Sequence, residues 1–118
     1  MHELSIAASI VDAVTETAAA YPGTRVKAVR LRLGVLSDVV EDSLSFCWEL
    51  TVKDTPLEGA ALEIEMVPVV VHCARCNEDV QLESVQHFRC PKCGEPTMDL
   101  KQGKELEIES IEVDDGTE

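Results

Sequence analysis

The chain has 118 residues, enough for one ordinary domain or two very small ones, and 45 % of them are apolar, which is sufficient for a packed core. Its formal net charge of −13 argues against nucleic-acid binding, because that affinity depends on lysine and arginine side chains that displace counterions. No apolar run approaches the ~20 residues of a membrane span, and the first residues lack the basic start of a signal peptide. We therefore expect a cytoplasmic protein that does not enter membranes.

Two segments have the periodicity of amphipathic helices. Residues 3–20 repeat apolar side chains at spacings of three and four, and Pro22 and Gly23 follow as turn residues. Residues 38–53 predict a second helix, which Asp38 and Glu41 would open as a capping box. Its apolar stripe is Leu44, Cys47, Trp48 and Thr51, with Phe46 and Leu50 beside it.

Three segments have the alternation of half-buried strands: residues 25–33, 61–67 and 105–113. The second is expected to point Leu62, Ile64 and Met66 inward. In the third, the apolar side chains change parity at Ser110, which suggests a bulge or a change of partner.

Four of the five cysteines form two Cys-x-x-Cys pairs, Cys73/Cys76 and Cys90/Cys93, separated by thirteen residues. This spacing predicts a tetrahedral Zn²⁺ site rather than disulfides, although iron would fit the same donors. Four thiolates leave no position for water, so the site is expected to be structural and not catalytic. Cys47 stands alone and is interpreted as a core residue of the second helix.

The order of elements predicts an α+β fold in which two helices pack on a small mixed three-stranded sheet, with an inserted four-cysteine zinc-ribbon domain. The expected α+β domain covers residues 1–68 plus 102–118. The expected ribbon covers residues 69–101, with short strands at residues 80–82 and 86–89.

Two histidines lie close to the cysteine pairs. His72 precedes Cys73 directly, and His87 lies three residues before Cys90. They are interpreted as exposed residues or as donors to the thiolates. The alternative is that one of them replaces a cysteine as a zinc ligand under other conditions.

The first three residues, Met1-His2-Glu3, offer a second set of metal donors. The Met1 amine, the His2 amide nitrogen and the His2 imidazole can hold one metal in fused chelate rings, and planar nitrogen donors suit Ni²⁺ or Cu²⁺. Reference pKa values of ~7.7–8.0 for the amine and ~6.5 for imidazole predict weaker binding below about pH 6.5. The alternative is a helix start with no metal role, in which Glu3 favours the helix dipole.

Together these features resemble the HypA/HybF family of hydrogenase nickel-incorporation proteins. The likeness covers essentially the whole chain. It rests on residues 1–5 (MHELS), 29–34 (VRLRLG), Ser43-Leu44-x-Phe46, the two cysteine pairs and the closing Ile108-x-x-Ile111-Glu112-Val113.

The resemblance implies a nickel metallochaperone, which is not an enzyme. It would bind Ni(II) as transient cargo through Met1 and His2, with Glu3 as ligand or neighbour, and hold structural zinc on Cys73, Cys76, Cys90 and Cys93. The implied partners are a HypB-type GTPase and the [NiFe]-hydrogenase large subunit, or in some organisms urease. The chain itself would be a monomer or homodimer.

One position departs from the family pattern. Many relatives have an acidic residue near the nickel where this chain has Val40, with Asp38 and Glu41 on either side. Either acid could serve, so no further nickel ligand is assigned. The competing hypothesis is a zinc-ribbon module that binds a nucleic acid or a protein; it predicts a basic ribbon face.

Overall fold

A computed structural model describes residues 2–114 of the chain. Two helices and six strands follow one another in these residues. They are α1 (Glu3–Ala18), β1 (Arg25–Gly34), α2 (Glu41–Val52), β2 (Ala61–Val67), β3 (Val70–Cys73), β4 (Glu78–Gln81), β5 (Leu100–Gln102) and β6 (Leu106–Asp114).

The strands form two three-stranded sheets. The first has the order β2-β1-β6, so the last strand of the chain returns to the first one. The second has the order β4-β3-β5, with β3 antiparallel to both neighbours. The predicted fold class, α+β with a small sheet, two helices and a four-cysteine ribbon, is confirmed.

The chain divides into two compact units, which are described separately. The helical unit comprises residues 1–31, 39–65 and 107–118, of which the structure describes 2–31, 39–65 and 107–114. The cysteine unit comprises residues 32–38 and 66–106. The domain bounds expected from the sequence stay a prediction.

The helical unit packs α1 against α2 through aliphatic side chains. The buried residues of α1 recur at the predicted helical spacing, and Leu44 and Trp48 of α2 are almost fully buried. The indole Nε1–H of Trp48 donates to the Ala60 carbonyl at 2.9 Å, which satisfies the polar atom of this buried ring. This unit therefore has a core that does not depend on the cysteines.

The expected start of α2 is wrong. Asp38 has a φ of 65°, in the left-handed region, whereas a capping residue is extended; Val40 takes the N-cap position instead and α2 begins at Glu41. On the predicted apolar stripe, Leu44 and Trp48 are buried and Cys47 and Thr51 are half-buried, whereas Phe46 and Leu50 beside it are 66 % and 58 % exposed.

The alternation of β2 also ends earlier than predicted. Leu62 and Ile64 are half-buried as expected, but Met66 is exposed and the next residue, Val67, is buried. Among the described residues, no helix has the length and apolar character needed to cross a membrane.

Candidate metal centre

The two Cys-x-x-Cys pairs converge in the cysteine unit. The sulfur atoms of Cys73, Cys76, Cys90 and Cys93 all lie within 4.8 Å of one another, and we call this group the cysteine quartet. The Sγ–Sγ distance is 3.5 Å between Cys73 and Cys93 and 3.9 Å between Cys76 and Cys90. Cys73 and Cys90 are buried, whereas Cys76 and Cys93 are partly exposed.

These distances fit a tetrahedral zinc site. With Zn–S bonds of about 2.3 Å, the sulfur atoms of a tetrahedron lie about 3.8 Å apart. A disulfide would instead require sulfurs about 2.0 Å apart, and all five cysteines are free. The donors and their spacing therefore match one four-coordinate metal ion with no open position.

The local backbone explains why each pair can present two sulfurs to one point. The residue after each pair, Asn77 or Gly94, has a positive φ of 55° or 79°, which turns the chain sharply. In the first pair the Cys76 N–H donates to the Cys73 sulfur at 3.4 Å. In the second, the Gly94 N–H donates to the Cys90 carbonyl at 2.8 Å.

A small hairpin and an apolar cluster support the quartet. Strands β3 and β4 pair in register from Val70 opposite Gln81 to Cys73 opposite Glu78, so Cys73 ends β3 and Cys76 lies in the hairpin turn. The expected strand at 80–82 corresponds to β4, but the expected strand at 86–89 is reduced to one bridge between Arg89 and Pro96. The buried residues of this cluster are Val69, Val71, Cys73, Val80, Leu82 and Cys90.

The thiols also interact electrostatically. The side-chain hydrogen bond with Cys93, followed by burial, raises the pKa of Cys76 to about 12. Burial opposes ionisation of Cys90 as well, but hydrogen bonds from the backbone of Cys93 and Lys92 lower its pKa to about 7. Neighbouring sulfurs and burial thus oppose ionisation of Cys76, and a bound divalent cation would favour it.

Neither nearby histidine belongs to the quartet. The His72 Nδ1 lies 2.9 Å from a carboxylate oxygen of Asp79, and the His72 carbonyl accepts a hydrogen bond from the Thr97 hydroxyl at 2.6 Å. His87 is exposed. The hypothesis that one of these histidines replaces a cysteine under other conditions stays a prediction.

The ribbon surface is not basic. Lys92 lies 2.9 Å from Glu78, and Arg75 lies 4.0 Å from Glu95. Arg89 donates to the Gly94 carbonyl. These cations face protein acceptors, so no described feature favours the nucleic-acid hypothesis.

The N-terminal donors lie in the helical unit. Met1, the first expected nickel ligand, lies outside the described residues. His2 is exposed and takes the N-cap position of α1, where its carbonyl accepts a hydrogen bond from the Ile6 N–H at 3.1 Å. In the described part of the chain, the quartet is the one place where three or more His, Cys, Asp or Glu side chains lie close enough to share a metal ion. His2 has no such neighbours among the described residues.

The Glu3 carboxylate has a defined partner. Its Oε2 accepts a hydrogen bond from the Val40 N–H at 3.0 Å, and this bond is the main reason that the pKa of Glu3 lies below its usual value. Glu3 therefore satisfies a backbone donor at the start of α2 that has no side-chain cap of its own. The apolar side chain of Val40 cannot coordinate a metal.

Three contributors to these sites were missed in the sequence: Asn77, Gly94 and Thr97. A glycine or asparagine directly after a Cys-x-x-Cys pair is a usable signal, because these residues tolerate positive φ. Thr97 carries no such signal, since its partner is the carbonyl of His72 twenty-five residues away.

Comparison with known proteins identifies the family. Residues 1–113 match the family model described as "Hydrogenase/urease nickel incorporation, metallochaperone, hypA". This chain belongs to the HypA family. A protein called hydrogenase maturation factor HypA from Roseiflexus sp. is 47 % identical over 117 residues, covering 99 % of this chain and 95 % of its own. A protein of the same name from Streptomyces avermitilis is 45 % identical, over 98 % of this chain and 89 % of its own.

Solved HypA structures share the fold. A solution structure described as the Ni metallochaperone HypA from Helicobacter pylori aligns with a TM-score of 0.63 at 22 % identity, over 95 % of this chain and 97 % of that one. A second HypA solution structure aligns with a TM-score of 0.69 at 22 % identity, over 95 % of each chain. Family membership confirms the resemblance inferred from the motifs.

Proposed function

We propose that this HypA protein captures Ni(II) at its N-terminus and delivers it during maturation of [NiFe]-hydrogenase. The observation that carries the proposal is the match to a nickel-incorporation family that begins at residue 1, where Met1 and His2 lie. Delivery to urease, which the family description also names, is the alternative destination.

The proposed ligands are the Met1 amine, the His2 amide nitrogen and the His2 imidazole. The N-cap position supports this set, because the first N–H groups of a helix have no partner within the helix. The exposed imidazole adds a third nitrogen, and planar nitrogen donors favour Ni²⁺. Protonation of the imidazole or the amine removes a donor, so acidification would release the metal.

Glu3 is proposed as a neighbour of the nickel rather than as a ligand. Its Oε2 is engaged by the Val40 N–H, which holds the first residue of α1 against the start of α2. This contact orients the chain just after His2.

The proposed role of the quartet is to hold a structural Zn²⁺. Zinc would supply the positive charge that lets four adjacent thiolates coexist, and it would tie the two cysteine pairs together. The residues themselves fix the geometry through their turns and the apolar cluster. Catalysis is not proposed for either site.

The proposed partners follow from hydrogenase maturation. A HypB-type GTPase would act with this chain, and the [NiFe]-hydrogenase large subunit would receive the nickel. These assignments rest on family resemblance. The chain adds one relevant property, a strongly acidic character, which suits basic regions on a partner.

A nickel titration tests the N-terminal site. The zinc-loaded wild-type protein is expected to bind one Ni²⁺ per chain, measured by calorimetry and elemental analysis. Replacing His2 by alanine, or adding two residues before Met1, is expected to weaken binding at least a hundredfold. Undiminished affinity in both variants would exclude this site.

His87→Ala is the matched control, because it removes one exposed histidine from the cysteine unit. It is expected to retain wild-type nickel affinity and one zinc per chain. If His87→Ala weakened nickel binding as much as His2→Ala, the ligands would have to be sought around the ribbon instead.

A further inference from the structure

Strand β6 forms one edge of the first sheet. In the sheet order β2-β1-β6, its hydrogen-bonded neighbour among the described residues is β1, on one side. The strand is nine residues long and contains no proline and no lysine. Natural proteins commonly protect edges with short strands, prolines or charged side chains, because an open edge can pair with another chain; the charged side chains of β6 are all acidic.

Several apolar side chains of this edge are exposed. Ile108 is 37 % exposed and Val113 is 44 % exposed, although they lie in a strand. Tyr21, just beyond α1, is 60 % exposed. These residues line a cavity of about 370 Å³ between the end of α1 and β6, within the helical unit.

The charge of the edge selects among possible occupants. Residues 105–114 contain five acidic residues and no lysine or arginine. One of them, Glu112, lies 3.7 Å from Lys27. A second copy of this chain would bring the same acidic edge and another net charge of −13, so self-association by this edge is disfavoured.

We propose that the outer edge of β6 binds an extended, lysine- or arginine-rich segment of another protein as an added strand. Main-chain hydrogen bonds would form along residues 108–113, and an apolar side chain of the segment would enter the cavity beside Tyr21. Strand addition of this kind obtains affinity from the backbone and specificity from alternate side chains. Opposite charges across the new strand pair add to both.

A synthetic peptide provides a direct probe. A nine-residue peptide that alternates lysine and valine is expected to bind the zinc-loaded, nickel-free protein, measured by fluorescence anisotropy. Amide hydrogen exchange is expected to slow at residues 108–113 on binding. The same peptide with alternate backbone nitrogens methylated keeps its charge but cannot pair, and is expected to bind at least tenfold more weakly.

Two matched variants separate strand addition from general attraction to an acidic protein. Glu109→Lys on β6 and Glu65→Lys on β2 change the net charge equally, and both side chains are exposed. Glu109→Lys is expected to weaken binding at least tenfold, with Glu65→Lys within twofold of wild type. Tyr21→Ser is expected to weaken binding several-fold through the cavity.

Equal weakening by Glu109→Lys and Glu65→Lys would overturn the proposal, as would peptide binding without protection of β6. Concentration-dependent protection of β6 in the absence of peptide would assign the edge to a second copy instead. The proposal is independent of the nickel site. His2→Ala is expected to bind the peptide like wild type, so failure here and failure of nickel capture are distinguishable.

Discussion

The cysteine quartet and the start of α1 are two candidate metal-binding regions built in opposite ways. The quartet has four donors from two chain segments, two of them buried, held by turns, a hairpin and an apolar cluster. The donors proposed at the start of α1 are consecutive residues, where His2 is exposed and a hydrogen bond ties Glu3 to the start of α2. The first region buries two of its four donors, whereas His2 in the second is exposed.

This difference matches the tasks proposed for the two regions. A metal that must stay is held by donors whose positions are fixed by the surrounding turns, hairpin and apolar cluster. A metal that must leave is better held by exposed donors such as His2, which can be lost one at a time. Variants of each region can test whether the more rigid region retains its metal and the more exposed region releases it.

The largest expected effect comes from the quartet itself. Cys90→Ser removes a buried donor at the centre of the apolar cluster. Because binding free energy of a structural zinc is folding free energy, we expect loss of zinc and loss of amide protection across residues 70–102. Elemental analysis after dialysis against a chelator, with hydrogen exchange, measures both.

Cys47→Ser is the control for this variant, since Cys47 is a free cysteine of α2. It is expected to retain one zinc per chain. If Cys90→Ser kept one zinc per chain and unchanged amide protection, the quartet would not be what stabilises the cysteine unit. The proposed difference between the quartet and the start of α1 would then be wrong.

The next largest effect is expected from replacing Gly34, which tests how rigid the cysteine unit is. A Cβ on Gly34 would lie 2.2 Å from the Gly103 carbonyl oxygen and 2.6 Å from the Glu105 nitrogen. Both backbones are tied by hydrogen bonds, since Gly34 donates to the Glu105 carbonyl and Leu36 donates to that of Gly103. Gly34→Ala is therefore expected to lower the unfolding free energy by roughly 3 kcal/mol.

Gly94→Ala provides the comparison, because a Cβ there meets no atom within 4 Å and only the positive φ of 79° opposes it. The expected loss is about 1–2 kcal/mol. Chemical denaturation of both variants, with zinc present, measures the difference. Equal losses would mean that the close approach at Gly34 can relax, which would contradict a rigid cysteine unit.

Elements with strong local patterns were predictable from the sequence. The bounds of β2 were predicted without error, and those of α1 and β6 to within two residues, because their apolar spacing is regular. The convergence of the four cysteines was also predictable, since Cys-x-x-Cys spacing restricts the geometry by itself. The motif glycine Gly34 was noted in the sequence, but its reason, the nearby Gly103 backbone, required the structure.

The misses have a common physical cause. The start of α2 depends on Glu3, thirty-seven residues earlier, which binds the Val40 N–H in place of a local cap. Thr97 was missed because its hydroxyl donates to the His72 carbonyl, twenty-five residues away. Contacts distant in sequence, rather than local preferences, decided these features.

The smallest expected effect concerns that contact between Glu3 and Val40. Glu3→Gln keeps an oxygen acceptor but removes the charge, so we expect a slightly lower unfolding free energy at pH 7. Because Glu3 is not a proposed ligand, we also expect one nickel bound per chain, with an affinity within threefold of wild type. Glu16→Gln, on the exposed face of the same helix, is the control for loss of one acidic charge. A hundredfold loss of nickel affinity in Glu3→Gln alone would make Glu3 a ligand.

The pH dependence gives the same contact a second test. The Val40 N–H is the main cause that lowers the pKa of Glu3 in the folded protein below its usual 4.5. A lowered folded-state pKa means that the ionised carboxylate contributes its full stability above pH 4.5, and that this contribution disappears as the pH falls through the folded-state value. The difference in unfolding free energy between wild type and Glu3→Gln should therefore be constant from pH 7 down to about pH 5 and shrink in more acidic solution. The quartet is the same in both proteins and contributes nothing to this difference. If the difference in unfolding free energy persisted in strong acid, Glu3 would act through packing, and more than its hydrogen bond to Val40 would hold the start of α1.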